Sequence, residues 1–173
     1  HFNHPPPGNS AFNKMKSRAE YERTRNRSFY LIKSVDTLPR LLAKQGYKCL
    51  QTGKFWEGHY RNAGFTDGMT LFRPVPGQRF GGNRRLANGQ MAAHGNGDWG
   101  LKIGRETMQP IYDFVDTHAG KQPFFIWYAP YLPHQPHNSP RKYFERYQGN
   151  PKVPEHYVPY YAAISQFDDT VGD

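Results

Sequence analysis

"SVDTLPRLLAKQGYKCLQTGK", residues 34–54, reads as a helix that runs into a strand ending on a glycine and a lysine. Asp36 or Thr37 can cap the helix, Pro39 falls in its first turn, Leu38, Leu41 and Leu42 share one face, and Gly46 closes it. "YKCLQT" then follows as a strand. The second half of the chain repeats this order. Met108, Ile111, Tyr112 and Val115 keep helical spacing from about Arg105 to His118, Gly120 ends the run, and "QPFFIWYAP" is a continuous apolar strand. Helix, buried strand, loop, helix, buried strand, loop predicts an α/β fold: a mostly parallel sheet with helices on both faces.

The rest of the chain fits around these two units. Pro140 to about Tyr147 predicts a short helix, and Tyr160, Tyr161, Ile164, Phe167 and Val171 keep helical spacing close to the last residue. Gly53 to Gly104 carries Gly-Gly, Asn-Gly and Pro-x-Pro punctuation and predicts a long loop excursion from the sheet. Residues 1–33 form a basic arm, and "KMKSRAEYERTRNR", residues 14–27, holds six cations interrupted by Glu20 and Glu22. Such a run reads as a solvated helix or a mobile arm. One domain over residues 1–173 is expected.

Composition narrows the function classes. With 36% hydrophobic and 16% aromatic residues the chain can build a core, and its 15 prolines and 17 glycines form no low-complexity block. The apolar run from Phe124 to Pro130 is far short of the roughly 18 to 20 residues of a membrane span. "HFNHPPPGNS" has neither an initiator Met nor an apolar signal core, and reads as a mature or excised end. A single cysteine, Cys49, excludes an internal disulfide and a cysteine-rich zinc site, and predicts a core position. The net charge of +9, from 23 Lys plus Arg against 14 Asp plus Glu, favours an anionic partner. No nucleic-acid recognition motif accompanies that charge.

In open α/β sheets, ligands bind beyond the carboxyl ends of the strands. Two loops leave such ends here, "TGKFWEGH" and "APYLPHQPH", so one lysine and several histidines are expected on one edge of the sheet. Lys54 follows Gly53 directly after its strand, where a fixed ammonium can hold an oxyanion, a sulfate or a phosphate oxygen. His134 and His137 sit in a proline-rich turn that can fix imidazoles as hydrogen-bond donors or general acids. Other leads carry less. Asp168 and Asp169 lie side by side in a helix-periodic stretch, where neighbours diverge by about 100 degrees, so they read as polar surface rather than a metal pair. "GNGDWGLKIG" has glycines without the strand-to-helix context of a nucleotide loop, and "NRS" at Asn26 is a glycosylation sequon by pattern alone.

Taken together these pieces resemble the formylglycine-dependent sulfatases of the alkaline-phosphatase-like superfamily. "TLPRLLAKQGYKCLQTGKFWEG" is similar to the family's second signature, a leucine-rich helix leading to Gly-Tyr and then Gly-Lys, and "GFTDGMT" is similar to the Gly-Phe-Asp element after it. "IYDFVDTHAGKQPFFIWYAPYLPHQPHNSPRKYFERY" resembles the family's helix, strand and Ala-Pro-His-x-Pro loop, and "YYAAISQFDDTVGD" resembles its Tyr-Tyr-Ala helix. The resemblance covers about residues 34–65 and 105–173, in the family's order, and implies an incomplete sulfatase-like domain.

It also implies a reaction and a site. The parent enzyme would cleave sulfate monoesters through formylglycine and calcium, with Lys54 on the sulfate oxygens and His134 on the sulfate or the leaving group. The family's Cys-x-Pro-Ser-Arg and calcium-binding motifs have no counterpart here: Cys49 is followed by Leu50, Gln51 and Thr52. Trp56 stands where the family has a histidine, so His59 or Glu57 would take over that role; Trp56, Glu57 and His137 are expected at the substrate. The expected partner is an anionic sulfate ester, a sulfated polysaccharide among the candidates, and the expected location is periplasmic or extracellular. The alternatives are a phosphodiester or phosphonate hydrolase of the same superfamily, and a non-catalytic binder of sulfated glycans.

Overall fold

The computed structural model describes residues 16–71, 83–93 and 99–173. The amino-terminal stretch before Lys16, and the parts of the loop excursion at 72–82 and 94–98, lie outside the described residues. The sheet at the centre has three parallel strands in the order β2, β1, β5: Asp67–Gly68, Lys48–Gly53 and Phe124–Ala129. Helices α2 (Leu38–Lys44), α3 (Gln109–His118) and α5 (Val158–Gly172) surround it, with α1 (Arg18–Ser28) and the short α4 (Arg141–Glu145). A separate antiparallel pair, β3 (Asn83–Arg85) and β4 (Met91–Ala93), belongs to the excursion. No described helix is long and apolar enough to cross a membrane.

Local chemistry explains the first unit. Thr37 caps α2 by accepting from the Arg40 amide, Pro39 occupies the first turn, and Gly46 takes φ +84°. The leucine face is only partly buried. Leu38 and Leu41 are exposed, whereas Pro39 is buried and Leu42 packs with Tyr47, Phe55 and Phe125 on the core of Cys49, Tyr60, Ala63 and Phe65. A seven-residue helix has only two turns and buries one side of them, not a full stripe. Cys49 is fully buried, and its thiol is pushed above its ordinary value chiefly by that burial and then by Asp67.

Strands β1 and β5 run in register from Lys48 opposite Phe124 to Gly53 opposite Ala129, so their carboxyl ends are level. Buried Gln51 braces this end: its side-chain oxygen accepts from the Thr70 amide and its side-chain nitrogen donates to the Gly53 carbonyl. On the other face of β5, Phe124 meets Phe114 of α3 edge to face, and Tyr128 stacks with Phe167 and shares a 2.5 Å hydrogen bond with Thr170 of α5.

Two expectations change in detail, and a third holds. The helix expected from Arg105 begins at Gln109, because residues 105–108 form hydrogen-bonded turns on the Lys102 and Gly104 backbone. The basic run does contain a helix, α1, and it is not solvated all round: Tyr21 is 2% exposed. Asp169 is ion-paired to Arg146 at 3.1 Å and Asp168 is exposed, which accounts for both as a polar surface.

Candidate active site

The site is built where β1 and β5 end side by side. Gly53 takes φ +74°, and a Cβ there would stand 1.9 Å from the Ala129 carbonyl oxygen, so only glycine lets the two strand ends close on each other. Lys54 follows with both of its peptide groups held: its amide donates to the Ala129 carbonyl at 2.6 Å, and its carbonyl accepts from the Trp127 indole at 3.4 Å. The backbone is fixed and the side chain projects from a fixed point. Its Nζ lies 5.4 Å from the centroid of the Tyr131 ring, and no described carboxylate forms an ion pair with it.

Tyr131 is the hub. It is 9% exposed and sits two residues after β5; the His134 ring packs on it with centroids 4.4 Å apart. The Arg105 guanidinium lies 5.9 Å from the same ring. One buried phenol therefore carries Lys54, His134 and Arg105 around it. The His134 loop, in which the peptide bonds before Pro133 and Pro136 are cis, is fastened by Arg105. One terminal nitrogen of Arg105 donates to the Pro136 carbonyl and to Asn138 Oδ1, each at 2.6 Å, and the other donates to the His134 carbonyl at 2.7 Å. Burial pushes the Arg105 guanidinium below its ordinary value, against Tyr131 and Glu106, which act the other way.

The remaining sequence candidates occupy other surroundings. His137 turns to α5, where its ring lies 5.4 Å from that of Tyr160. Trp56 is 46% exposed on the loop after Lys54. The Glu57 carbonyl accepts from the Asn62 side chain at 2.6 Å and from the His59 amide at 3.0 Å, which folds this loop on itself. His59 caps the following turn: its Nδ1 accepts from the Arg61 amide at 3.2 Å, and its ring lies 4.5 Å from that of Tyr60. Burial, Arg61 and Lys33, in that order, lower the His59 pKa.

That depression has a checkable sign. Protonating His59 opposes the fold, so its contribution to stability is present above the ordinary imidazole value and lost as pH falls toward its lowered one. In a proton NMR titration His59 should titrate below an unstructured histidine; an equal or higher midpoint would contradict its partial burial near the charges of Arg61 and Lys33.

Tyr131 and Arg105 carry the geometry, and neither stands out in the sequence. Tyr131 could have been singled out as the aromatic residue two positions beyond an apolar strand; that strand, expected to be buried, has exposed Phe124 and Trp127 and only partly buried residues between them. Arg105 had no local signal, being 29 residues from His134 in the chain.

A lysine and an imidazole beside one aromatic ring, at the level ends of adjacent parallel strands with helices on both faces, define an α/β protein with a candidate anion site at the carboxyl edge of its sheet. The sequence model of the sulfatase family matches residues 9–173, and the chain belongs to that family. Among curated proteins it is similar to a sulfatase of Formosa agariphila, with 29% identity over 128 residues, 66% of this chain and 25% of that protein. The chain thus spans about a quarter of the length of that relative.

Proposed function

We propose that this chain is the central segment of a sulfuric ester hydrolase and supplies the cation and the imidazole that hold the sulfate. The observation that carries this reading is the convergence of Lys54 and His134 on the Tyr131 ring, at the ligand-binding edge of the sheet, in a chain of the sulfatase family.

Negative charge grows on the sulfuryl and leaving oxygens during transfer, and a preorganised ammonium offsets it without reorganising. Lys54 takes the sulfuryl oxygens; protonated His134 donates to the sulfate or to the departing alcohol. The family's calcium and formylglycine do not fit the residues described here. Among the described residues no group of three or more His, Cys, Asp or Glu could hold a metal, and Cys49 is buried with its thiol against the Pro39 carbonyl. In this reading both come from other parts of the polypeptide.

The chain on its own is therefore expected to turn over no sulfate ester. Aryl sulfate, calcium and purified chain at substrate excess should give no product beyond the blank; sustained turnover proportional to protein would overturn the reading.

The sheet supports a larger whole. Lys48 donates to the Pro123 carbonyl and Lys54 to that of Ala129, so the odd-numbered residues of this stretch turn their peptide groups toward β1. Phe124, Ile126 and Tyr128 turn theirs to the opposite edge, where no described strand pairs with them. Phe124 and Trp127 are exposed, and a cavity of about 540 Å³ lined by Ile111, Tyr112, Ile126, Tyr128 and Val171 opens beside the strand. The occupant we assign is a strand from the remaining length of the same polypeptide. Amide exchange at Phe124, Ile126 and Tyr128 should be fast in the isolated chain and at least about 10²-fold slower in the full-length protein. Equal exchange in both would show that β5 is a true edge.

A further inference from the structure

The proline loop surrounds the His134 ring with its own carbonyls and with Arg105. His134 Nδ1 lies 3.0 Å from the carbonyl oxygen of Gln135. A carbonyl only accepts, so Nδ1 carries the hydrogen, and in the neutral ring Nε2 is left with its lone pair. Imidazole free in water favours the opposite tautomer. The carbonyls on either side of Gln135, those of His134 and Pro136, are both taken by Arg105, at 2.7 and 2.6 Å. A third bond, to Asn138 Oδ1, ties the far end of the loop to the same guanidinium.

We propose that Arg105 is the positioning residue that sets the tautomer of His134. By drawing the carbonyls of residues 134 and 136 to itself it leaves that of Gln135 directed at the imidazole, so that Nε2 is the only ring atom able to exchange a proton with a ligand. Two further contacts support this assignment. Arg105 and His134 pack on the same Tyr131 ring, so the guanidinium fixes the loop at the point where the imidazole rests. The Gln166 side chain in turn donates to the carbonyls of Gly104 and Arg105, at 3.3 and 3.0 Å, and anchors Arg105 to α5. A planar fork with five donors can serve three acceptors at once; a lysine ammonium on a flexible stem cannot hold the same set in one plane. That Nε2 addresses a sulfate ester rests on the sulfatase reading above. The tautomer does not.

Nitrogen-15 NMR of the imidazole in the 173-residue chain, at about pH 9 where an ordinary histidine is neutral, reads the tautomer directly. His134 is assigned by its loss in His134→Gln. The wild-type ring should be mainly Nδ1–H. In Arg105→Gln, with an unchanged amide spectrum elsewhere, the Nε2–H form should become the major one, a change in the tautomer ratio of about tenfold. Arg105→Lys keeps the charge and should give an intermediate ratio; it decides the question if Arg105→Gln does not fold. A His134 that is already Nε2–H in the wild type, or that stays Nδ1–H in the folded variant, overturns the proposal. Adding inorganic sulfate to the wild-type sample separates the two claims: no response at Lys54 or His134 would count against the sulfate site and leave the tautomer assignment standing.

Discussion

On the proposed sulfatase reading, Lys54→Ala in the full-length polypeptide that contains this chain is expected to lower kcat by about 10² or more, the loss seen when one preorganised donor is removed from a developing oxyanion. The side chain is suited to that role by what surrounds it. Its backbone is held on both sides by β5, its Nζ rests near the face of Tyr131, and no described carboxylate neutralises it. A cation so placed meets the anion without first giving up an ion pair. The deficit should fall mainly on kcat, because charge on the transferred group is larger in the transition state than in the bound ester. Steady-state kinetics of wild type and variant on an aryl sulfate check this. Unaltered kinetics would make Lys54 an ordinary loop lysine.

Gly53→Ala should be the most damaging added methyl group among the described glycines. The added carbon would lie 1.9 Å from the Ala129 carbonyl oxygen, 2.3 Å from its carbon and 2.9 Å from the Pro130 nitrogen, all backbone atoms that no rotamer change can move. Its φ of +74° adds the strain of a left-handed alanine. Relief requires parting β1 from β5 at the end that carries Lys54. The expected cost is about 4 kcal/mol or more, a large fraction of the 5 to 15 kcal/mol that holds a typical domain together. Urea unfolding of the two proteins measures it. Gly46→Ala is the natural control: its φ is +84°, but a Cβ there meets nothing within 4 Å, so only backbone strain is added. Equal losses at the two positions would mean that strand closure is not what Gly53 provides.

The alternation of helix and apolar strand was readable because both strands are continuous runs bounded by punctuation that works locally: Thr37, Pro39 and Gly46 around α2, and Gly120 before β5. Their parallel pairing followed from that order, and with it the shared edge for Lys54 and His134. What stayed hidden depends on contacts between distant parts of the chain. Leu38 and Leu41 match a helical face, yet they are exposed and Pro39 is buried in their place, its carbonyl beside the Cys49 thiol of β1. Arg105 looks like the first residue of a helix and is instead the clamp of a loop 29 to 33 residues away. Tyr131 is one aromatic residue in a run of them; only its place under three side chains makes it the hub. His59 is close to Lys54 in sequence, but the turn it caps directs it to Arg61 and Tyr60.

The measurement that bears most directly on the central claim is a comparison of kcat/KM for a sulfate monoester and for the matching phosphodiester and phosphonate, made with the full-length polypeptide that contains this chain. Sulfate and phosphate groups present similar tetrahedral oxygens to Lys54 and His134, so only turnover separates them. The account predicts that the sulfate ester is hydrolysed at least about 10²-fold more efficiently, and that Lys54→Ala and His134→Gln each remove most of that activity. Preferred hydrolysis of the phosphorus esters, or sulfate hydrolysis that survives both substitutions, would contradict it.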